Sequence, residues 1–187
     1  LAPRGVAGFV LANGSMGSQT SGEGEIRKNI IEADLVDCII SLPDKLFLNA
    51  AIPACLWFIA RDRENRKGKT LFIDARNMGT MINRRNRELT DDDIKKIANK
   101  YHSWKGTNGG EYKDIPGFCK AATTQEIAEQ DYVLTPGRYV GSEEVVEDNE
   151  VFEEKINKLT VELYKQFGEG HKLEKEIKKN LKKIGHE

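Results

Sequence analysis

GFVLANGS, at residues 8–15, is the stretch that decides the fold, because a continuous apolar run ends there in turn-forming residues. Such a run predicts a short strand over Gly8–Ala12 that is covered on both faces of a sheet. A second apolar run, Leu35–Leu42, closes at Pro43. The region between the two runs predicts a helix. The resulting order of strand, helix and strand implies parallel strands in an α/β sheet.

The helix between these runs has a recognisable start in the sequence. Thr20 and Glu23 have the spacing of a capping box, and apolar residues then follow at helical spacing: Ile26, Ile30 and Ile31. We therefore expect Thr20 to cap this helix.

Two further apolar runs, at 52–60 and 70–73, predict two more strands. The place of the strand at 70–73 in the sheet is left open. Thr90 with Asp93 predicts the start of another helix, residues 105–122 are glycine-rich and predicted to be irregular, and a short helix is predicted near 123–129.

The last part of the chain is strongly charged and predicted to be helical. Residues 143–150 are mostly acidic and predict a linker. Apolar residues then recur at helical spacing in two segments, Phe152–Phe167 and Leu173–Ile184. Gly168 and Gly170 lie between the segments and predict two separate helices.

The composition excludes several classes of protein. Lys and Arg number 29 against 30 Asp and Glu, so the net charge of −1 gives no support for a free-standing nucleic-acid-binding domain. Three cysteines and three histidines, scattered along the chain, suggest neither a disulfide framework nor a metal site. No apolar run is long enough for a membrane span, and we expect a cytoplasmic protein without membrane contact.

Six strings, in chain order, carry a resemblance to a known family. They are GFVLANGS at 8–15, SGEGEIR at 21–27, IPACLWF at 52–58, LFIDAR at 71–76, RELT at 87–90 and LTPGRYVG at 134–141. Together they resemble the methylation subunit of type I restriction-modification systems, which is an N6-adenine DNA methyltransferase.

The resemblance implies a fold and a domain division. The fold is the C-terminal half of a Rossmann-like, S-adenosylmethionine-dependent methyltransferase sheet, followed by an α-helical region. Its last three strands would be mixed and lie in the order fifth, seventh, sixth, with the seventh antiparallel. We expect residues 1–80 to belong to this α/β domain, 81–142 to form a helical and irregular extension that packs on it, and 143–187 to form a helical tail for subunit association.

The resemblance also implies an activity and partners for the intact parent protein. The family transfers a methyl group from S-adenosylmethionine to N6 of adenine in double-stranded DNA. Its partners are a DNA-specificity (S) subunit and a restriction (R) subunit, and the helical tail is expected to dock on the specificity subunit rather than on its own domain.

Two motifs of the family are missing from these 187 residues. One is the glycine-containing turn that holds the cofactor, and the other is Asn-Pro-Pro-Phe, which binds the target amino group and stacks on the extruded base. We therefore expect a fragment that is inactive alone, with no catalytic and no cofactor-binding residues, and we interpret its start at Leu1 as a fragment boundary. The alternative is a non-catalytic protein-interaction module built on a methyltransferase-like scaffold.

Three residues are candidates for the target-base pocket of the parent. Phe47 lies between the sixth and seventh strands, near a position where related adenine methyltransferases carry an aromatic that stacks on the flipped base. Asn13 and Ser15 follow a strand at the end where α/β sheets bind ligands. The alternatives are an ordinary core or lid phenylalanine and plain turn chemistry.

Arg84, Arg85 and Arg87 form a dense basic cluster. Such a cluster suits contacts with DNA phosphates, which need no sequence code. A solvated charged loop is the alternative.

The missing motifs lead to a prediction about the cofactor. We expect this chain alone to bind S-adenosylmethionine negligibly, since the turn and the acidic ribose-binding position of the family are missing. Isothermal titration calorimetry on the 187-residue chain is the measurement. Micromolar binding would contradict the prediction.

Overall fold

The computed structural model describes residues 1–48, 51–142 and 152–183, and within the last range the side chains from 156 onward. The predicted linker at 143–150 and residue Ile184 lie outside the described residues. The chain divides into two units, Leu1–Glu144 and Val145–Glu187. The helices and strands, in chain order, are β1 (Val6–Ala12), α1 (Glu23–Glu32), β2 (Val36–Ser41), β3 (Ala54–Ala60), β4 (Lys69–Asp74), β5 (Thr80–Met81), β6 (Arg87–Glu88), α2 (Asp91–Lys105), β7 (Cys119–Thr123), α3 (Thr124–Glu129) and α4 (Phe152–Lys183).

The first unit is built on a five-stranded mixed sheet in the order β1-β3-β2-β4-β7. β3 lies antiparallel between β1 and β2, which confirms the predicted arrangement of the last three strands. β4 lies parallel to β2, and this pairing gives the position in the sheet of the strand at 70–73, which the sequence left open. β7 pairs antiparallel with β4, so the prediction of an irregular segment over 105–122 was wrong at its end.

Helices cover both faces of the central strands. Residues of β2 alternate between the faces, so that Ile39 joins one buried cluster while Cys38 and Ile40 join the other. The first cluster includes Ile31 of α1, Ile127 of α3 and the nearby Tyr139; the second includes Ile97 and Trp104 of α2. The unit therefore has three layers, as an α/β protein requires. Its three cysteines are free and buried.

The first strand, β1, is more exposed than its sequence predicted. The prediction of a strand covered on both faces was wrong, since every residue of β1 except Ala7 is exposed. The reason is that β1 is the edge strand of the sheet. Beside it, an open groove of about 470 Å³ lies between the sheet and α1, lined mainly by apolar side chains: Phe9, Leu11, Ile26, Ile30 and Trp57.

A buried network of charged side chains surrounds the start of β2, a central strand of the sheet. The register of β2 shifts between Val36 and Cys38, and the fully buried Asp37 lies at this irregularity. Its carboxylate pairs with Arg63 and Arg66, each at 3.1 Å, and accepts a hydrogen bond from Tyr101 of α2 at 2.9 Å. Burial, followed by the Asp37 charge, raises the pKa of Tyr101 above its ordinary value, so its hydroxyl stays a donor.

Arg63 also satisfies backbone carbonyl groups around this network. It is almost fully buried and donates to the carbonyl oxygens of Val36, at 2.7 Å, Asp34, at 3.1 Å, and Lys69. These contacts join the start of β2 to the start of β4. A buried cation is tolerated only when it is paired and hydrogen-bonded in this way.

Of the two helix starts predicted from capping residues, that of α2 is confirmed and that of α1 is wrong. Thr90 and Asp93 form the predicted capping box at the start of α2. Thr20 does not cap α1, because it belongs to a separate 3-10 turn over Thr20–Gly22, and the N-cap is Gly22 without a side-chain cap. The prediction considered residue spacing and missed Ser21, whose φ of 52° breaks the helical geometry.

Residues 152–183 of the second unit form one continuous helix, α4, where two helices were predicted. Gly168 and Gly170 lie within it and do not end it. Each glycine costs about 1 kcal/mol in a helix, which flanking helix-forming residues and pairs such as Lys178 with Glu174, at 2.6 Å, offset in part. Within the described part of the chain, no helix has both the length and the apolar character to cross a membrane.

We predict that Arg63→Met destabilises the chain. Removing the guanidinium leaves carbonyl oxygens unsatisfied and weakens the pairing of buried Asp37, so the free energy of unfolding should fall by about 3 kcal/mol. Urea unfolding, followed by tryptophan fluorescence, measures the change. The matched control is Arg61→Met: Arg61 is exposed and donates to Leu1 O. Equal effects of the two substitutions would contradict the role of the network.

Candidate functional site

The residues that the sequence singled out lie around one edge of the sheet, which we call the carboxyl edge. It is formed by the ends of the parallel strands β1, β2 and β4 together with the start of β3. Ala12 is paired with Ala54, and Ser41 is paired with both Cys55 and Asp74, so the strand ends are level. Ligands of α/β sheets bind beyond the carboxyl ends of the strands.

Asn13 and Ser15 lie in a 3-10 turn, Asn13–Met16, that follows β1 directly. The hydroxyl of Ser15 is 3.5 Å from the Cys55 sulfur at the start of β3. Asn13 is half-buried, and among the described residues its enclosed Oδ1 has no hydrogen-bond partner. Asn13 therefore keeps an unpaired acceptor at this strand end.

Arg27 fixes the segment that carries Asn13 and Ser15. It is 3% exposed, and its guanidinium donates to the carbonyl oxygens of Ser18 at 2.6 Å, Tyr132 at 3.1 Å and Ser15 at 3.3 Å. This role of Arg27 was not predicted from the sequence. One signal was available: Arg27 lies four residues before Ile31, and hence on the buried face of α1.

Phe47 lies in the connection between β2 and β3, as predicted, and projects partly into solvent. Its side chain is 45% exposed and that of Leu48 is 88% exposed. A ring that is half open at the carboxyl edge is available for stacking. An ordinary core phenylalanine would be enclosed.

The three arginines predicted to form one cluster are divided between two environments. Arg84 and Arg85 are exposed in the turn of the β5–β6 hairpin, where Asn83 accepts hydrogen bonds from the Arg85 and Asn86 amides, both at 2.8 Å. Arg87 is half-buried, donates to Met78 O at 2.9 Å and pairs with Asp44 at 3.7 Å. Its guanidinium is therefore engaged within the fold.

The end of β4 brings a later part of the chain to the same edge. The guanidinium of Arg76 donates three hydrogen bonds to the Asp74 carboxylate, at 2.6, 2.9 and 3.1 Å. Gly137 packs on this pair so closely that an added Cβ would lie 2.6 Å from Arg76 Nη2. Tyr139 stacks on Phe72 of β4, with ring centroids 4.0 Å apart. The segment around Pro136–Arg138 is thus fastened to β4, and Arg138 itself is exposed.

The carboxyl edge offers side chains of three kinds. It presents an amide, a half-open aromatic ring and two exposed arginines. In residues 1–48, 51–142 and 152–183, no group of three or more His, Cys, Asp or Glu side chains could hold a metal ion. Stacking and phosphate contact are the interactions that these side chains support.

The chain is similar to known proteins along its full length. The family model for N-6 DNA methylase matches residues 1–148. The HindI methylase subunit of a type I restriction enzyme from Haemophilus influenzae is 53% identical over all 187 residues, and the MjaIX methylase subunit from Methanocaldococcus jannaschii is 45% identical over 185. The chain covers 42% and 33% of these two relatives, so it spans less than half their length.

A solved structure shares the fold. The type I restriction-modification methyltransferase subunit from Streptococcus thermophilus matches with a TM-score of 0.64 at 34% identity, over 74% of this chain and 27% of that one.

Proposed function

The chain belongs to the N-6 DNA methylase family, and from this premise we propose that it is the carboxy-terminal part of the methylation subunit of a type I restriction-modification system. The intact subunit would transfer a methyl group from S-adenosylmethionine to N6 of adenine in DNA. In this proposal the chain supplies one half of the sheet, part of the target-base pocket and a contact with another subunit.

The observation that carries the proposal is the position of β3, antiparallel between β1 and β2. In the family this arrangement ends the methyltransferase sheet. It sets the ends of β1 and β2 at one edge, where a base extruded from the duplex can be received.

Phe47, Asn13 and Ser15 are the proposed residues of the base pocket. The exposed face of Phe47 suits stacking on the extruded adenine. The side chain of Asn13 would line the pocket at the end of β1, where its enclosed Oδ1 is an acceptor without a partner among the described residues. Ser15 is held against Cys55 and would shape the wall of the pocket.

Arg84 and Arg85 are the proposed phosphate contacts. Both project from the turn of the β5–β6 hairpin and are exposed. With a net charge of −1, the chain attracts DNA only where its cations are concentrated, and this hairpin supplies such a concentration.

The residues of this edge do not fit S-adenosylmethionine. Its ribose hydroxyl groups need a carboxylate that is free to accept hydrogen bonds. The carboxylates next to the ends of β2 and β4 are Asp44 and Asp74, and each is paired with an arginine. We therefore place the cofactor site in a part of the methylation subunit outside this chain.

The open edge of β1 is proposed to join the rest of the methyltransferase sheet. β1 is an edge strand, and the groove beside it is apolar. A further strand and its helix in the intact subunit would satisfy the backbone groups of β1 and fill the groove.

Helix α4 is the proposed contact with the DNA-specificity subunit. Its apolar side chains recur at helical spacing and are all exposed: Ile156, Leu159, Leu163, Phe167, Leu173, Ile177 and Leu181. An apolar stripe along a 32-residue helix suits packing against another helix. We propose that the restriction subunit and double-stranded DNA join the same assembly, in the cytoplasm, where the three cysteines remain reduced.

Phe47→Ala tests the base-pocket proposal. In the full-length methylation subunit, assembled with its specificity subunit, we expect methyl transfer to slow by about 5- to 150-fold, because a base-aromatic stack is worth about 1–3 kcal/mol. Initial rates with radiolabelled S-adenosylmethionine, cofactor affinity and the thermal midpoint are measured together. Affinity and midpoint should stay unchanged.

The control is Leu48→Ala, a change in the more exposed neighbour on the same connection. It should leave the rate within about twofold. Full activity of Phe47→Ala, or a lower midpoint that accounts for the loss, would contradict a pocket role. Full activity would favour the alternative, in which the strands are a scaffold for α4.

Leu163→Glu tests the proposed role of α4. A charge on the apolar stripe should weaken association of the full-length methylation subunit with the specificity subunit by at least about tenfold, since burial of a leucine contributes about 1.5–3 kcal/mol. Sedimentation velocity measures the assembly. Lys172→Glu, on the opposite side of the helix, is the control. If the two variants assemble equally well, α4 does not dock through this stripe.

A further inference from the structure

The β5–β6 hairpin is fastened to the start of α2. Asp93 closes the capping box with Thr90, and the same carboxylate accepts a hydrogen bond from the Gly79 amide at 3.1 Å. Gly79 has a φ of 80°, and an added Cβ there would lie 2.7 Å from Glu88 O. The base of the hairpin is thus close-packed and anchored to a helix, which makes it a rigid element.

Arg87 joins this hairpin to the connection between β2 and β3. Its amide donates to Lys45 O at 2.9 Å, its Nη1 donates to Met78 O at 2.9 Å, and its Nη2 lies 3.7 Å from the Asp44 carboxylate. One residue therefore contacts both the segment that enters the hairpin and the connection that carries Phe47.

The connection needs such a support. Lys45 has a φ of 61°, a left-handed conformation that costs about 1 kcal/mol or more for a residue with a Cβ and persists only where neighbours impose it. Phe47 and Leu48 beyond it are 45% and 88% exposed, so packing of their own side chains fixes them weakly. The contacts at Asp44 and Lys45, three and two residues before Phe47, hold the start of this connection, and Leu46 between them and the ring packs on the second buried cluster.

We propose that Arg87 is a positioning residue for the target base. It holds the connection between β2 and β3 against the hairpin and thereby fixes the ring of Phe47 at the carboxyl edge; this inference rests on the proposed function. Arg87 differs in role from Arg84 and Arg85 although it lies within three residues of both. Its guanidinium faces Met78 and Asp44, whereas theirs face solvent.

The kinetics of Arg87→Met and Arg84→Met separate positioning from phosphate contact. In the full-length methylation subunit assembled with its specificity subunit, Arg87→Met should lower kcat for methyl transfer by about ten- to a hundredfold, as misplaced groups do, with KM for DNA within about twofold. Its salt dependence of DNA affinity should match that of the unmodified protein. Arg84→Met should instead reduce the slope of log Kd against log salt by about 0.9.

A local measurement tests the support without any catalysis. Hydrogen-deuterium exchange of the full-length subunit should be faster at residues 44–48 in both Arg87→Met and Asp44→Ala, and unchanged there in Arg84→Met. Asp44→Ala keeps the hairpin intact, so it carries the test if Arg87→Met fails to fold. Unchanged exchange in the folded variants would overturn the proposal.

Two further outcomes have distinct meanings. A reduced salt slope with unchanged kcat in Arg87→Met would make Arg87 a phosphate contact and overturn its positioning role. Faster exchange at 44–48, combined with full activity of Phe47→Ala, would support the brace between hairpin and connection while rejecting the base pocket of the proposed function.

Discussion

The structure depends on one buried carboxylate, that of Asp37. It lies at an irregularity in the central part of the sheet, where an unpaired charge would cost several kcal/mol, and it is tolerated because Arg63, Arg66 and Tyr101 converge on it. These partners come from the β3–β4 connection and from α2. A single charge thereby links the start of β2 to the β3–β4 connection and to α2. The carboxyl edge lies at the other end of the same strands, whose ends are level there.

Much of the fold could be predicted from local patterns. Continuous apolar runs located the four strands β1 to β4, and the spacing of Thr90 and Asp93 located the start of α2. The order β1-β3-β2 came from the family resemblance. β7 was missed because Cys119–Thr123 is a weakly apolar segment that becomes a strand only through its pairing with β4. Such a long-range cause leaves little trace in the local sequence.

The candidate site was predictable in its location and less so in its internal contacts. Residues that follow strands, such as Asn13, had to lie near the carboxyl edge once the strands were parallel. The burial of Arg27 could be predicted from its place on α1, but the backbone carbonyl oxygens that Arg27 and Arg87 bind could not. Every residue offers such a carbonyl, so the sequence cannot indicate which one an arginine will reach. The same chemical type therefore serves as a brace in Arg87 and as a free cation in Arg84.

The open edge of β1 affects how separate copies of the chain behave toward one another. Its unpaired backbone groups can accept a strand from any neighbouring molecule, and its side chains, such as the 52% exposed Val10, are mostly apolar. The net charge of −1 provides almost no electrostatic repulsion between copies near neutral pH. Charge repulsion therefore does little to oppose edge-to-edge pairing of β1 strands from different copies. Soluble yield of this chain should consequently improve when acidic residues replace exposed apolar ones along β1. Because these side chains are exposed, the substitutions leave the packing of the buried core unchanged.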